Sequence, residues 1–129
     1  MTSNYTLELF QDPAILLFTV DETYHMLNDH PSSTEQVLHL LDQQTSPLIY
    51  IADLRRLAYD FEEAIEGANR VSRGKNSTYH HPMIKKVCVV TEDDGLIATF
   101  QGLDNPVFGS VKVHLYATPE EAVADANNS

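Results

Sequence analysis

The chain has 129 residues, 43% of them hydrophobic and 21% charged, a composition that closes one core without disulfides or a structural metal and argues against disorder. Its formal net charge is −11 and no Lys or Arg precedes Arg55, so the surface repels phosphate backbones and nucleic acid is not an expected partner. A lone cysteine excludes a disulfide framework. There is no signal-peptide pattern at the start and no apolar run near the ~18 residues of a membrane span, so a cytoplasmic protein without membrane contact is expected.

Tyr5, Leu7 and Leu9 alternate with Thr6 and Glu8, and the turn cluster Gln11-Asp12-Pro13 leads into an apolar stretch at 14–20. This pattern predicts an N-terminal antiparallel hairpin. Residues 21–32 are polar and hold Asn28, Asp29 and Pro31, which predicts a loop with one helical turn around 24–27. Ser33 followed by Gln36 has the spacing of a capping box, so the first helix is expected to start there. Val37, Leu38, Leu40 and Leu41 supply its buried side, and Thr45-Ser46-Pro47 ends it.

The uninterrupted apolar run 48–51 is what a strand covered on both faces needs, and it marks the central strand. In the helix that follows, Phe61, Ala64, Ile65 and Ala68 fall at i, i+3, i+4 and i+7 and give it an apolar side for the sheet. Asp60 is the expected cap. Glu62 and Glu63 at its start and Arg70, Arg73 and Lys75 at its end complement the helix dipole, each by roughly 0.3–1 kcal/mol.

Residues 74–82, with Tyr79-His80-His81, read as a loop, and 85–91 as the next strand. Its buried run 87–90 includes Cys88, read as a small buried side chain rather than a reactive thiol. Thr91 is expected to cap a short helix with Leu96, Ile97, Phe100 and Leu103, which Gly95 and Gly102 each weaken by up to ~1 kcal/mol. Pro106 and Gly109 end it. Val111, Val113 and Leu115 alternate with Lys112 and His114 as in an edge strand with one wet face. In Thr118-Pro119-Glu120-Glu121 a capping threonine, a proline at the first helical position and a glutamate three residues after the cap begin a last helix, packed through Ala122, Val123 and Ala126. The element order is ββαβαβαβα, an α/β fold in a single domain, 1–129, with a mixed sheet and helical crossovers.

That order, a strand ending in Ile51-Ala52-Asp53-Leu54 ahead of the second helix, His81-Pro82 ahead of a valine-rich strand, and a closing strand followed by Thr118-Pro119-Glu120-Glu121-Ala122 resemble the STAS domain of sulphate transporters and anti-sigma factor antagonists, the SpoIIAA-like fold. The resemblance spans nearly the whole chain. It implies a regulatory protein-interaction module. In the phosphorylation-regulated members a serine or threonine follows an aspartate at the start of the second helix. Here Asp60 stands for that aspartate and Phe61 occupies the place of the hydroxyl, while Glu62 and Glu63 would repel a phosphate. The switch serine is therefore absent, and no serine kinase is expected to act at that position.

No nucleophile and base pair, Gly-rich phosphate loop or zinc spacing can be assembled from the sequence, so no enzyme activity, cofactor or metal is expected. The carboxylate clusters Glu62-Glu63 and Glu92-Asp93-Asp94 lie at predicted helix starts, where the dipole explains them. Arg55, Arg56, Tyr59 and Asp60 lie just beyond the central strand, at the sheet edge where ligands gather in open α/β folds, and are the candidate partner- or ligand-binding residues. The plain alternative is that an arginine pairs with Asp53 or a nearby glutamate and Tyr59 packs over the helix.

Three functions follow. The first is a non-enzymatic module that docks another protein through 55–60, with homodimerisation through the edge strand 111–115 compatible. The second is a small-ligand carrier with Phe61, Phe100 and Phe108 around an enclosed cavity on the order of several hundred Å³. The third is a metal-dependent enzyme, which requires His25 or His30 to approach His80, His81 or His114.

Overall fold

The computed structural model describes residues 4–11, 14–24, 26–72, 78–105 and 111–127. In order they form β1 (Tyr5–Phe10), β2 (Ile15–Val20), α1 (Met26–Asp42), β3 (Leu48–Asp53), α2 (Phe61–Ser72), a 3-10 turn (Thr78–His80), β4 (Ile84–Val90), α3 (Asp94–Gln101), a second 3-10 turn (Gly102–Asp104), β5 (Val113–Tyr116) and α4 (Pro119–Asn127). One sheet runs β1-β2-β3-β4-β5, with β1 antiparallel to β2 and the other neighbours parallel. The mixed α/β order expected from the sequence is the one observed.

β3 is central, and all six of its residues are buried. Leu48, Tyr50 and Ala52 face the larger core, which they share with Val37 and Leu41 of α1, Ala64 of α2 and Leu96 and Phe100 of α3. Ile49 and Ile51 face the smaller core with Cys88, Ala122 and Ala126, so among the described residues α4 is the helix that covers that side. A strand with protein on both faces has no wet side to alternate with, which is why its apolar run is continuous. Each large aliphatic side chain buried this way stabilises by roughly 1.5–3 kcal/mol. The hairpin is held on the larger core by Tyr5, Phe18 and Tyr24, whose ring centroids lie 5.7–6.1 Å apart, two of the three pairs edge to face.

Several local expectations are corrected. α1 begins at Met26, seven residues ahead of Ser33, and carries Pro31 within it. Proline removes one helical N–H, a cost of about 3 kcal/mol that packing of the α1 apolar face must offset. Ser33 is no cap: it is buried and its hydroxyl lies 2.8 Å from that of Tyr24. On α2, Ala64 and Gly67 are buried, but Ile65 is 40% exposed and has rotated off the packed face; the side chains of Phe61 and Ala68 lie outside the described residues. α3 is capped by Asp93, whose carboxylate accepts the Leu96 N–H at 3.0 Å. Thr91 serves one step earlier, where its hydroxyl oxygen accepts the Asp93 N–H at 3.1 Å. Arg73 and Lys75, expected to complement the α2 dipole, lie outside the described residues, as does the helix-ending stretch at 106–110.

α4 starts as its sequence predicts. The Thr118 hydroxyl accepts the Glu121 N–H at 3.2 Å, and the Glu121 carboxylate accepts the Ala117 N–H at 3.1 Å. Replacing Thr118 by Ala should cost about 1 kcal/mol, read as a lower midpoint in urea; an unchanged midpoint would mean that the cap contributes nothing. Cys88 is fully buried and its thiol is pushed up to about 11, chiefly by burial. It stays protonated near neutral pH and should react with a thiol reagent only as fast as the chain unfolds, a rate that urea should raise; rapid labelling of the native protein would contradict its burial.

Candidate functional site

β3 ends on Asp53, a carboxylate only 4% exposed. An ionised group so buried needs a partner. Arg55 supplies it from two residues on: Nε donates to Oδ1 and Nη2 to Oδ2, both at 3.0 Å, and its backbone N–H donates to Oδ1 at 3.2 Å. The paired guanidinium geometry is the strong, directional form of this bond. The Asp53 hydrogen bond, and to a smaller extent the charges of Asp53, Glu120 and Glu92, hold the Arg55 guanidinium above its ordinary value. The start of α4 and the β4–α3 loop therefore reach the same edge of the sheet.

Once Arg55 turns back onto Asp53, the remaining residues of the loop are distributed around it. Leu57 N–H closes a turn on the Leu54 carbonyl at 3.1 Å. Arg56 points outward and donates to Glu22, which follows β2; both side chains are more than 60% exposed. The Tyr59 hydroxyl donates to Asp93, the cap of α3. That bond is the first cause of two shifts, Tyr59 up to about 12 and Asp93 down from the usual carboxylate range. Asp60 caps α2 as expected: its carboxylate accepts the Glu63 N–H at 2.8 Å and its carbonyl the Ala64 N–H at 3.1 Å.

The four candidate residues thus share one loop at the carboxyl ends of the strands, and each has an intramolecular partner. Glu22, Asp93 and Gly95 were not assigned to this edge from the sequence. Gly95 looks there like a weak point in a helix, yet a Cβ on it would lie 2.7 Å from the Tyr59 hydroxyl oxygen and 3.1 Å from Asp93 Oδ1. Its missing side chain is the space through which Tyr59 reaches the cap.

The other sequence candidates lie elsewhere. His81 sits with Nε2 2.8 Å from Asp42 while Nδ1 accepts the Met83 N–H at 3.0 Å, so both ring nitrogens are engaged in positioning the turn before β4. His25 and the side chain of His30 lie outside the described residues, among which no group of three potential metal ligands occurs. The core cavity beside Phe18, Tyr24, Tyr50, Tyr79 and Phe100 measures about 50 Å³, against roughly 300–1,000 Å³ for a ligand pocket. Phe108 and the side chain of Phe61 lie outside the described residues. Among those described, no helix is long and apolar enough to cross a membrane.

No protein-family model matches the chain, and no curated protein matches its sequence. Among solved structures it is similar to an uncharacterized protein of the DUF3478 family with a SpoIIAA-like fold, from Shewanella loihica PV-4, at a TM-score of 0.59 and 16% identity. The likeness covers 96% of this chain and 97% of that one. The chain has a SpoIIAA-like fold. Within that SpoIIAA-like fold, all four candidate residues fall on the junction between the central strand and the second helix, and Phe61 is the first residue of α2, directly after the capping aspartate.

Two outcomes test this geometry. Arg55→Ala should lower stability by about 1–2 kcal/mol, toward the low end for charged hydrogen bonds because 44% of the arginine side chain is exposed and screened. Arg56→Ala should cost less than about 1 kcal/mol; equal losses in urea unfolding would show that the two arginines do the same work. Gly95→Ala should destabilise the wild type, and by less in a Tyr59→Phe background, where the 2.7 Å approach to the hydroxyl is gone and only the 3.1 Å approach to Asp93 Oδ1 opposes the helix preference of alanine. The same loss in both backgrounds would remove Tyr59 as the reason for glycine.

Proposed function

We propose that the protein is a non-enzymatic, regulatory interaction module that docks another protein through the loop carrying Arg55, Arg56, Tyr59 and Asp60. The observation that carries this reading is the division of labour between the two arginines. Arg55 ties the loop to buried Asp53, while Arg56 stands on that fixed loop with 62% of its side chain exposed, against a Glu22 that is 63% exposed. An ion pair so exposed contributes about 0–1 kcal/mol, so a carboxylate on a partner can replace Glu22 at little cost. Ile65 is an exposed apolar residue of α2, the helix that the loop leads into. With a net charge of −11 the chain attracts a partner that is basic overall and meets Arg56 with one local carboxylate.

The chemistry of the edge supports binding over proton transfer. Tyr59 titrates near 12 and Asp93 below its usual range, both away from neutrality, the reverse of what an acid and base pair needs. With Phe61 directly after Asp60, control would come through availability of the partner and not through a phosphoserine at that position.

The test is co-purification of the tagged protein from its own cell extract, in parallel with Arg56→Ala and Arg56→Glu. A retained basic protein should be lost from both variants while their urea midpoints stay near that of the wild type. Retention of the same proteins by Arg56→Glu would remove this loop as the docking surface.

A further inference from the structure

Of the two outer strands of the sheet, β5 has four residues and is entered through exposed Lys112, the kind of charge that keeps an edge unpaired. β1 has six residues, no Lys, no Pro and an unbroken register on β2, and its only charge is Glu8. That register shows which backbone groups are left over. Asp21 N–H donates to the Asn4 carbonyl at 3.0 Å, so Tyr5 and Val20 form a non-hydrogen-bonded pair, and the alternation repeats at Leu7 and Leu9. The amides and carbonyls of Tyr5, Leu7 and Leu9 therefore point away from β2, and no described strand takes them up.

The side chains of β1 divide by face. Tyr5 and Leu7 pack against the larger core, Leu9 follows on the same side and is 39% exposed, and Leu7 lines a groove there with Glu35, His39 and Leu40 of α1. Thr6, Glu8 and Phe10 face the other way, and all are exposed. Charge in this part of the molecule has one sign: β1, β2 and α1 contain no Lys or Arg, and Glu8 and Glu35 pair with no cation among the described residues. A second copy fits such an edge badly. Antiparallel self-pairing must set outward residues opposite outward ones, so Leu7 opposite Leu7 leaves the two Glu8 carboxylates diagonal to each other, and Leu7 opposite Leu9 sets them face to face.

We infer that the outer edge of β1 accepts an extended basic segment of another protein as a sixth strand. Its backbone meets the amides and carbonyls of Tyr5, Leu7 and Leu9, its apolar side chains lie beside Leu7 and Leu9, and its basic ones reach Glu8 from the opposite face. In this mode the main chain supplies affinity and alternate side chains supply selectivity. The acidic charge that turns a second copy away draws a basic strand in. This edge is separate from the loop at 55–60, and neither proposal depends on the other.

The probe is a short capped peptide of alternating lysine and valine, titrated onto the full chain at constant ionic strength and followed by amide hydrogen exchange. In the free protein the amides of Tyr5, Leu7 and Leu9 should exchange faster than those of Thr6, Glu8 and Phe10. Saturating peptide should slow Tyr5, Leu7 and Leu9 at least tenfold and leave the others within a few fold. A version with prolines in place of its central valines keeps the charge but lacks the amides that meet the edge, and it should bind at least tenfold more weakly. Glu8→Lys in the protein should weaken binding of the parent peptide by a similar factor. Equal binding of the two peptides, or binding without the alternating protection, would overturn the proposal by showing attraction through charge alone. Protection of Tyr5, Leu7 and Leu9 that rises with protein concentration in the absence of peptide would also overturn it, since a second copy would then occupy the edge. Should Glu8→Lys fail to fold, the proline peptide and the exchange pattern decide the matter alone.

Discussion

A carboxylate at the end of a strand that is itself covered on both faces is the constraint around which this molecule is arranged. Asp53 is almost wholly screened from bulk water, and a charge left unpaired there is destabilising, so the chain brings a cation back within two residues. Arg55 does so with two side-chain bonds and one from its backbone. That choice fixes the direction in which the loop leaves the sheet. With Arg55 folded inward, Arg56 is turned out to Glu22, Tyr59 reaches α3, and Asp60 arrives where α2 needs a cap. Fold and candidate site are therefore one argument: the strand supplies the buried acid, and the acid shapes the edge.

What was legible in the sequence was what depends on neighbours in the chain. The continuous run 48–51 named the central strand because burial on both faces leaves no polar alternation, and Asp60 and Thr118 could be read as caps because a cap acts within three residues. The start of α1 was not legible. Pro31 is locally a breaker, and only the packing of Val37 and Leu41 and the burial of Ser33 against Tyr24 keep it inside a helix. Ile65 followed helical periodicity, yet it is exposed while Ala64 and Gly67 are buried. At the edge, the positions of Arg55 to Asp60 were readable from the strand ending, whereas Glu22 and Asp93 were not, since each lies 34 residues from its partner. Gly95 shows the same limit, for its meaning depends on a tyrosine from another element.

The two ends of the sheet differ in how their charge is settled. At the carboxyl end every described cation has a carboxylate, one buried and one exposed, and the weaker of these pairs is the one open to exchange. At the amino end Lys86 pairs with Asp125, while Lys85 and Lys112 are exposed and have no carboxylate partner among the described residues. Between the two ends, the cavity beside Tyr50 and Tyr79 measures about 50 Å³.

The measurement that most directly tests the organising role of the buried acid is a double-mutant cycle on Asp53 and Arg55, using Asp53→Asn, Arg55→Gln and the pair, each unfolded in urea. Because the two side chains share two hydrogen bonds and one end is buried, the coupling should be roughly 1–2 kcal/mol, with each single variant losing more than its change in shape explains. A coupling indistinguishable from zero would mean that Asp53 is satisfied without Arg55, and that the loop takes its course for another reason.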